Sequence, residues 1–109
     1  MPTGRLGAQN LAVATYTAVY TVPASTFAVV TLSICNRANT PCAVRVAITN
    51  TAPPSAPGNG EFIEFDAEVL GKGVLERTGL VLDAGRIISV YSSATNVSAV
   101  AWGIETPTA

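Results

Sequence analysis

The sequence predicts an all-β protein: a single antiparallel β-sandwich of about eight strands, jelly-roll-like. Three observations carry this expectation. Runs rich in β-branched and aromatic residues alternate apolar side chains with small polar ones. Turn residues recur between those runs at short intervals. No stretch sustains the 3.6-residue apolar period of an amphipathic helix.

Each element has its own signal. Residues 11–22, LAVATYTAVYTV, read as one long strand or as two broken near Ala14–Thr15. VPAS then turns, with Pro23 fixing the bend. Residues 27–37 alternate, placing Val30, Leu32 and Ile34 on one side. The polar turn NRANTP leads to residues 42–50, where Val44, Val46 and Ile48 share a side. TAPPSAPGNG, residues 51–60, is loop, because its prolines and glycines interrupt both helix and ladder. Residues 61–69 alternate Ile63, Phe65, Ala67 and Val69 against Phe62, Glu64, Asp66 and Glu68. Residues 73–82 change phase near Gly79, which predicts a bulge. DAG turns the chain into residues 86–93, and ATN separates these from 97–105, where Val100, Trp102 and Ile104 share a face. The division expected is an N-terminal arm over 1–10, the sandwich over 11–105 and a short tail over 106–109.

Composition narrows the function. At 109 residues the chain is one domain, long enough for its own core. Only 12% of it is charged, against about 25% in ordinary domains. Thr, Ser, Ala, Asn and Gly fill the difference. Such a surface suits burial against other subunits better than free solution. The six basic residues are scattered along the sequence, which argues against a nucleic-acid partner. No apolar run reaches the roughly 18–20 residues of a membrane span. MPTGRLGAQN lacks the apolar middle of a signal peptide, so a cytoplasmic product is expected.

The residues needed for chemistry are sparse. Histidine is absent, which removes the commonest general base and metal ligand. No Ser-His-Asp or Cys-His arrangement is available. Lys72, between two glycines, reads as a solvated turn residue. Glu64, Asp66 and Glu68 are the best carboxylate candidates. Their alternation is compatible with acid/base work or calcium, but a solvated stripe is the plainer reading. VLGKGVLERTG lacks the phosphate-loop pattern. No enzyme activity, cofactor or metal is therefore expected. Cys35 and Cys42 flank NRANTP. If their strands form a hairpin with Ile34 opposite Val44, Cys35 opposes Ala43 and the sulfurs face opposite ways. Two free thiols are expected. Tyr16 and Tyr20 share strand parity, which allows an exposed stacking platform for sugar, with core or subunit interface the stronger reading.

Two segments carry a resemblance. YTAVYTVPASTFAVVTLSICNRANTPCAVRVAI resembles a module of small tailed-bacteriophage virion proteins, in which a YTVPA-type turn leads to a strand ending in CNR. EFIEFDAEVLGKGVLERTGLVLDAGRIISVYSSATNVSAVAWGIE looks like its second half, with E(F/Y)IE(F/Y)D, GVLERTG, LDAG and VYSS. Together they cover residues 16–105. The resemblance implies a non-enzymatic structural protein of the virion, assembled in the host cytoplasm. A capsid decoration or cement protein is the leading expectation. A tail, baseplate, collar or fibre-associated protein is the alternative, and a carbohydrate-binding host-recognition module a further one. Partners would be copies of itself, a trimer being the natural grouping, and the major capsid protein or tail proteins. Contacts are expected from the arm (Thr3, Arg5, Leu6, Gln9 and Asn10), from the loop 51–60, and from Tyr16, Tyr20, Arg37 and Arg77. Arms of this kind order only on a neighbour.

Overall fold

The computed structural model describes residues 3–50 and 57–108. The strands are β1 (Thr3–Leu11), β2 (Thr17–Thr21), β3 (Thr26–Asn36), β4 (Cys42–Thr49), β5 (Phe62–Val69), β6 (Val74–Leu82), β7 (Ile87–Ser92) and β8 (Val97–Pro107). A single 3₁₀ turn, Asn59–Glu61, precedes β5. Two four-stranded antiparallel sheets result, ordered β1-β8-β3-β6 and β2-β7-β4-β5. The pairs nest: β4 with β5, β3 with β6, β2 with β7, and β1 with β8. The chain is thus one long double strand, rolled so that successive pairs fall in alternate sheets. This is the jelly-roll sandwich that the strand count and alternation predicted.

The core lies between the sheets and follows the period-two pattern. Val30, Leu32 and Ile34 of β3 meet Val44 and Val46 of β4 and Ile88 and Val90 of β7, all fully buried. Alternation places each set on the inner face of its own sheet, and burial of these branched side chains drives the two sheets together. β8 contributes smaller groups: Val97, Ala99 and Ala101 point inward, while Trp102 and Ile104 stand outside. The larger set of that strand therefore faces away from the core.

Bulges re-aim the described strands at five places, a second one in β5 falling at Ile63, between Phe62 and Glu64. β6 bulges opposite Thr31, where Gly79 takes φ +68°, the phase change the sequence indicated. β5 bulges at Asp66, whose φ is +54°, a conformation the alternating pattern EFIEFDAEV does not betray. β1 bulges between Arg5 and Gly7, and β2 between Ala18 and Tyr20. The run 11–22 is broken where expected: Ala14 has φ +54° and separates β1 from β2.

Three expectations are corrected. Residues 3–10 do not project as an arm; they lie in β1, paired in register along the edge of β8 that β3 leaves open. The strands flanking NRANTP are not a hairpin. β3 pairs with β6 and β8, β4 with β5 and β7, and the turn crosses from one sheet to the other. Ala43 accordingly faces Glu68, and Cys35 faces Val74 and Ser98. Both thiols are free, Cys42 buried and Cys35 half-buried. Finally, β8 continues to Pro107, past the expected tail boundary.

The sides of the sandwich are closed differently. Along β1 and β2, Gly7 lies so near the Val19 backbone that an added Cβ would sit 2.0 Å from its carbonyl oxygen. Along β5 and β6, Arg77 of one sheet reaches Glu64 of the other, Nη1 to Oε2 at 3.1 Å.

Candidate interaction surfaces

The outer face of β1-β8-β3-β6 is the most apolar exposed surface. Register places Val81, Val29 and Ile104 side by side across three strands. Phe27 lies along β3 toward one end and Trp102, paired with Thr31, toward the other. All five are exposed, Val81 by 70% and Ile104 by 55%. Thr31, Ser33, Ser98 and Val100 continue the face and are half-buried. Among the described residues Arg5 and Glu76 stand on it at opposite margins, and Arg37, just past β3, reaches over its end to the Asn10 side chain of β1. Arg5 on β1 pairs in register with Trp102, and Glu76 on β6 with Ser33. Neither Arg5 nor Glu76 forms an ion pair among the described residues.

The outer face of β2-β7-β4-β5 is different in kind. Ala47, Thr49, Ile87 and Ser89 lie on it and are buried, with the Thr49 and Ser89 hydroxyls 3.4 Å apart. Beside them is an aromatic cluster around one cation. Tyr16 packs on Tyr91 with ring centroids 5.1 Å apart and approaches Phe62 at 6.3 Å. Phe62 meets Phe65 edge-on at 5.0 Å. The Arg45 guanidinium sits 4.3 Å from the Phe65 ring and 4.7 Å from Tyr91. Its Nε donates to Asp66 Oδ1 at 2.7 Å, and its Nη1 to the Tyr16 hydroxyl at 3.2 Å. The Asp66 carboxylate first, and the Tyr16 hydroxyl second, hold Arg45 protonated far above its ordinary range. The bulge at Asp66 makes this possible by turning that carboxylate toward Arg45.

At one end, buried Asn36 ties two turns together. Its Nδ2 donates to the carbonyls of Thr40, Val69 and Leu70, and its Oδ1 accepts from Ala38 N. Lys72 adds a hydrogen bond to the Arg37 carbonyl at 2.8 Å. Inside, the Tyr20 hydroxyl of β2 donates to Glu105 of β8, so one polar pair crosses the core. Burial first, and the Glu105 carboxylate second, push the Tyr20 phenol well above the ordinary tyrosine range.

The residues singled out from the sequence are dispersed by the fold. Arg5, Gln9 and Asn10 are exposed on β1, and Leu6 packs against the core. Thr3 pairs with Ile104, its side chain lying outside the described residues. Of the loop 51–60, residues 51–56 lie outside the described residues. Tyr16 is half-buried in the aromatic cluster. Tyr20 is buried, so the two tyrosines form no shared platform: the β2 bulge puts them on opposite faces. Arg37 donates to Asn10 Oδ1. Arg77 pairs with Glu64 within the chain. The carboxylate stripe is likewise broken up, with Glu64 on Arg77, Asp66 on Arg45 and Glu68 exposed opposite Ala43. Among the described residues no three His, Cys, Asp or Glu side chains gather as a metal site, and no pocket is found.

These features define a jelly-roll domain whose polar side chains serve its own architecture and whose most exposed face is a sheet surface. No protein-family model, curated protein or solved structure matches the chain.

Proposed function

We propose that this chain is a non-enzymatic structural protein of a tailed-bacteriophage virion, seated on the capsid exterior as a decoration or cement protein. It would contact copies of itself and the major capsid protein, burying sheet surface in place of solvent. One observation carries the reading: the face bearing Phe27, Val29, Val81, Trp102 and Ile104, with Arg5 and Glu76 charged at its margins and Arg37 at its end. Leaving a contiguous apolar patch in water is unfavourable, and such patches mark association surfaces. The virion context is supported by the YTVPA, CNR, E(F/Y)IE(F/Y)D and GVLERTG motifs. The jelly roll is a fold used by viral capsid and lectin domains alike, so it is compatible with this context without singling it out.

The test is quantitative mass spectrometry of purified particles, followed by electron microscopy of those particles. Hundreds of copies per particle, with density on the shell, support the capsid assignment. A copy number of one small ring, with density on the tail, moves the protein to the tail alternative. Absence from particles refutes the virion reading.

The aromatic cluster favours one second reading, a glycan-binding module. Exposed Phe65 beside Tyr16, Tyr91 and the Arg45–Asp66 pair combines stacking rings with polar groups. A glycan array probed with the intact protein and with Tyr16→Ala and Tyr91→Ala variants decides it. Binding abolished by both variants supports the module, and no binding removes it.

A further inference from the structure

We infer that the outer face of β1-β8-β3-β6 docks on the same face of a second copy, about a two-fold axis parallel to the strands, with Arg5 of each copy meeting Glu76 of the other. The inference rests on the reading that this chain assembles with itself, and it names the surface and the symmetry.

The sheet order is β1-β8-β3-β6, so Arg5 and Glu76 occupy opposite edges of one face. A two-fold axis along the strands, midway between β8 and β3, brings β1 of one copy over β6 of the other. The same rotation lays β8 over β3. Arg5 is level with Trp102 and hence with Thr31, while Glu76 is level with Ser33. The offset is two residues, roughly 7 Å along the strand, which a guanidinium side chain spans. Two identical ion pairs would then flank the contact, one on each side.

The apolar groups follow the same rotation. Ile104 of β8 and Val29 of β3 are register partners within one copy, so each lies over the other's counterpart across the axis. Trp102 meets Thr31 in the same way. Sheets stacked face to face keep their strands nearly aligned, as this axis requires. Area agrees as well. The central strands β3 and β8 run 11 residues each. Four strands about 4.8 Å apart and up to 11 residues long at about 3.4 Å per residue give a footprint of roughly 700 Å² per copy, near the ~800 Å² per partner of a stable interface.

The choice of occupant comes from charge complementarity. A different protein would have to offer an acid and a base at matching separation. A second copy supplies both by symmetry. The other outer face offers no comparable site, because Ala47, Thr49, Ile87 and Ser89 are already buried there.

Sedimentation velocity of the purified full chain over a concentration series tests this. The expected result is a dimer in reversible exchange with monomer. Arg5→Glu alone and Glu76→Arg alone should each weaken dimerisation about tenfold or more, since symmetry turns two attractions into two repulsions. The Arg5→Glu/Glu76→Arg double variant should restore it. Val29→Asp should abolish it while far-ultraviolet circular dichroism and melting temperature report an intact fold. A monomer at every concentration, a trimer, or a dimer indifferent to these substitutions overturns the inference. Incorporation of the same variants into particles is scored separately. Particles that take up a strictly monomeric protein refute the two-fold contact and leave the virion reading standing. A dimer absent from particles does the reverse.

Discussion

Replacing Tyr20 by Phe should destabilise the sandwich. Glu105 is only 4% exposed, and the Tyr20 hydroxyl is its hydrogen-bond donor. Phenylalanine fits the same space but leaves a buried carboxylate without that partner. An unsatisfied buried acceptor costs about 1–3 kcal/mol, and more when charged, so about 3 kcal/mol is expected. For a domain of this size that is a fall of about 12 °C in Tm. Glu105→Gln keeps an acceptor for the hydroxyl and should cost about 1 kcal/mol or less. In Tyr20→Phe/Glu105→Leu neither polar group remains, so at least half of the Tyr20→Phe loss should return. Urea and thermal unfolding, followed by the fluorescence of Trp102, the chain's single tryptophan, measure all three. The pair also has a pH signature. The phenol titrates higher in the folded than in the unfolded state, so its contribution is complete below the unfolded value of about 10 and is lost as pH rises through the folded one. The wild type should therefore shed this stability above about pH 10, and Tyr20→Phe should lack that component. A Tyr20→Phe cost under about 0.5 kcal/mol, or strictly additive single variants, would refute the assignment of this pair as a structural cross-tie.

Other variants probe other parts of the frame. Gly7→Ala places a methyl group 2.0 Å from the Val19 carbonyl oxygen, and the resulting shift should cost about 2–3 kcal/mol in urea unfolding. Asn36→Ala removes the donor shared by three carbonyls in two turns and should cost about 2–4 kcal/mol, with hydrogen exchange faster in residues 37–41 and 70–73. In the native protein Cys35 should react with a disulfide reagent before Cys42, because burial pushes the Cys42 thiol up, partly offset by Ser92. Equal rates, or Cys42 first, would contradict its enclosed position.

The fold class was legible because period-two alternation survives in β3, β4 and β7, where no bulge intervenes. Val30, Leu32, Ile34, Val44 and Val46 are buried as their spacing indicated. The Gly79 bulge was legible too, since glycine is the residue that takes positive φ freely. Asp66 adopts the same region without such a marker, so the carboxylate stripe read from β5 dissolves into two separate ion pairs. Tyr16 and Tyr20 mislead for the same reason, because parity counts fail across the β2 bulge. The NRANTP turn resembled a hairpin because local sequence does not record which sheet a strand joins. The aromatic cluster joins Tyr16, Arg45, Phe62, Phe65 and Tyr91 from four separate segments, so no spacing rule could assemble it. In β8 the signal was present but inverted: Val100, Trp102 and Ile104 do share a face, and Trp102 and Ile104 are exposed on it while Ala99 and Ala101 fill the core.

The nesting of first strand with last has a consequence for biosynthesis. Of the eight strands β1 is made first, yet its hydrogen-bonding partner β8 is made after the other seven. β3 likewise waits for β6 and β8. Contacts so distant in sequence form slowly, and the nascent chain carries unpaired strands until β8 has been made. The sheet surface bearing Trp102 and Ile104 does not exist until β8 emerges. The outer face of that sheet is thus completed after every strand of the opposite sheet has been made.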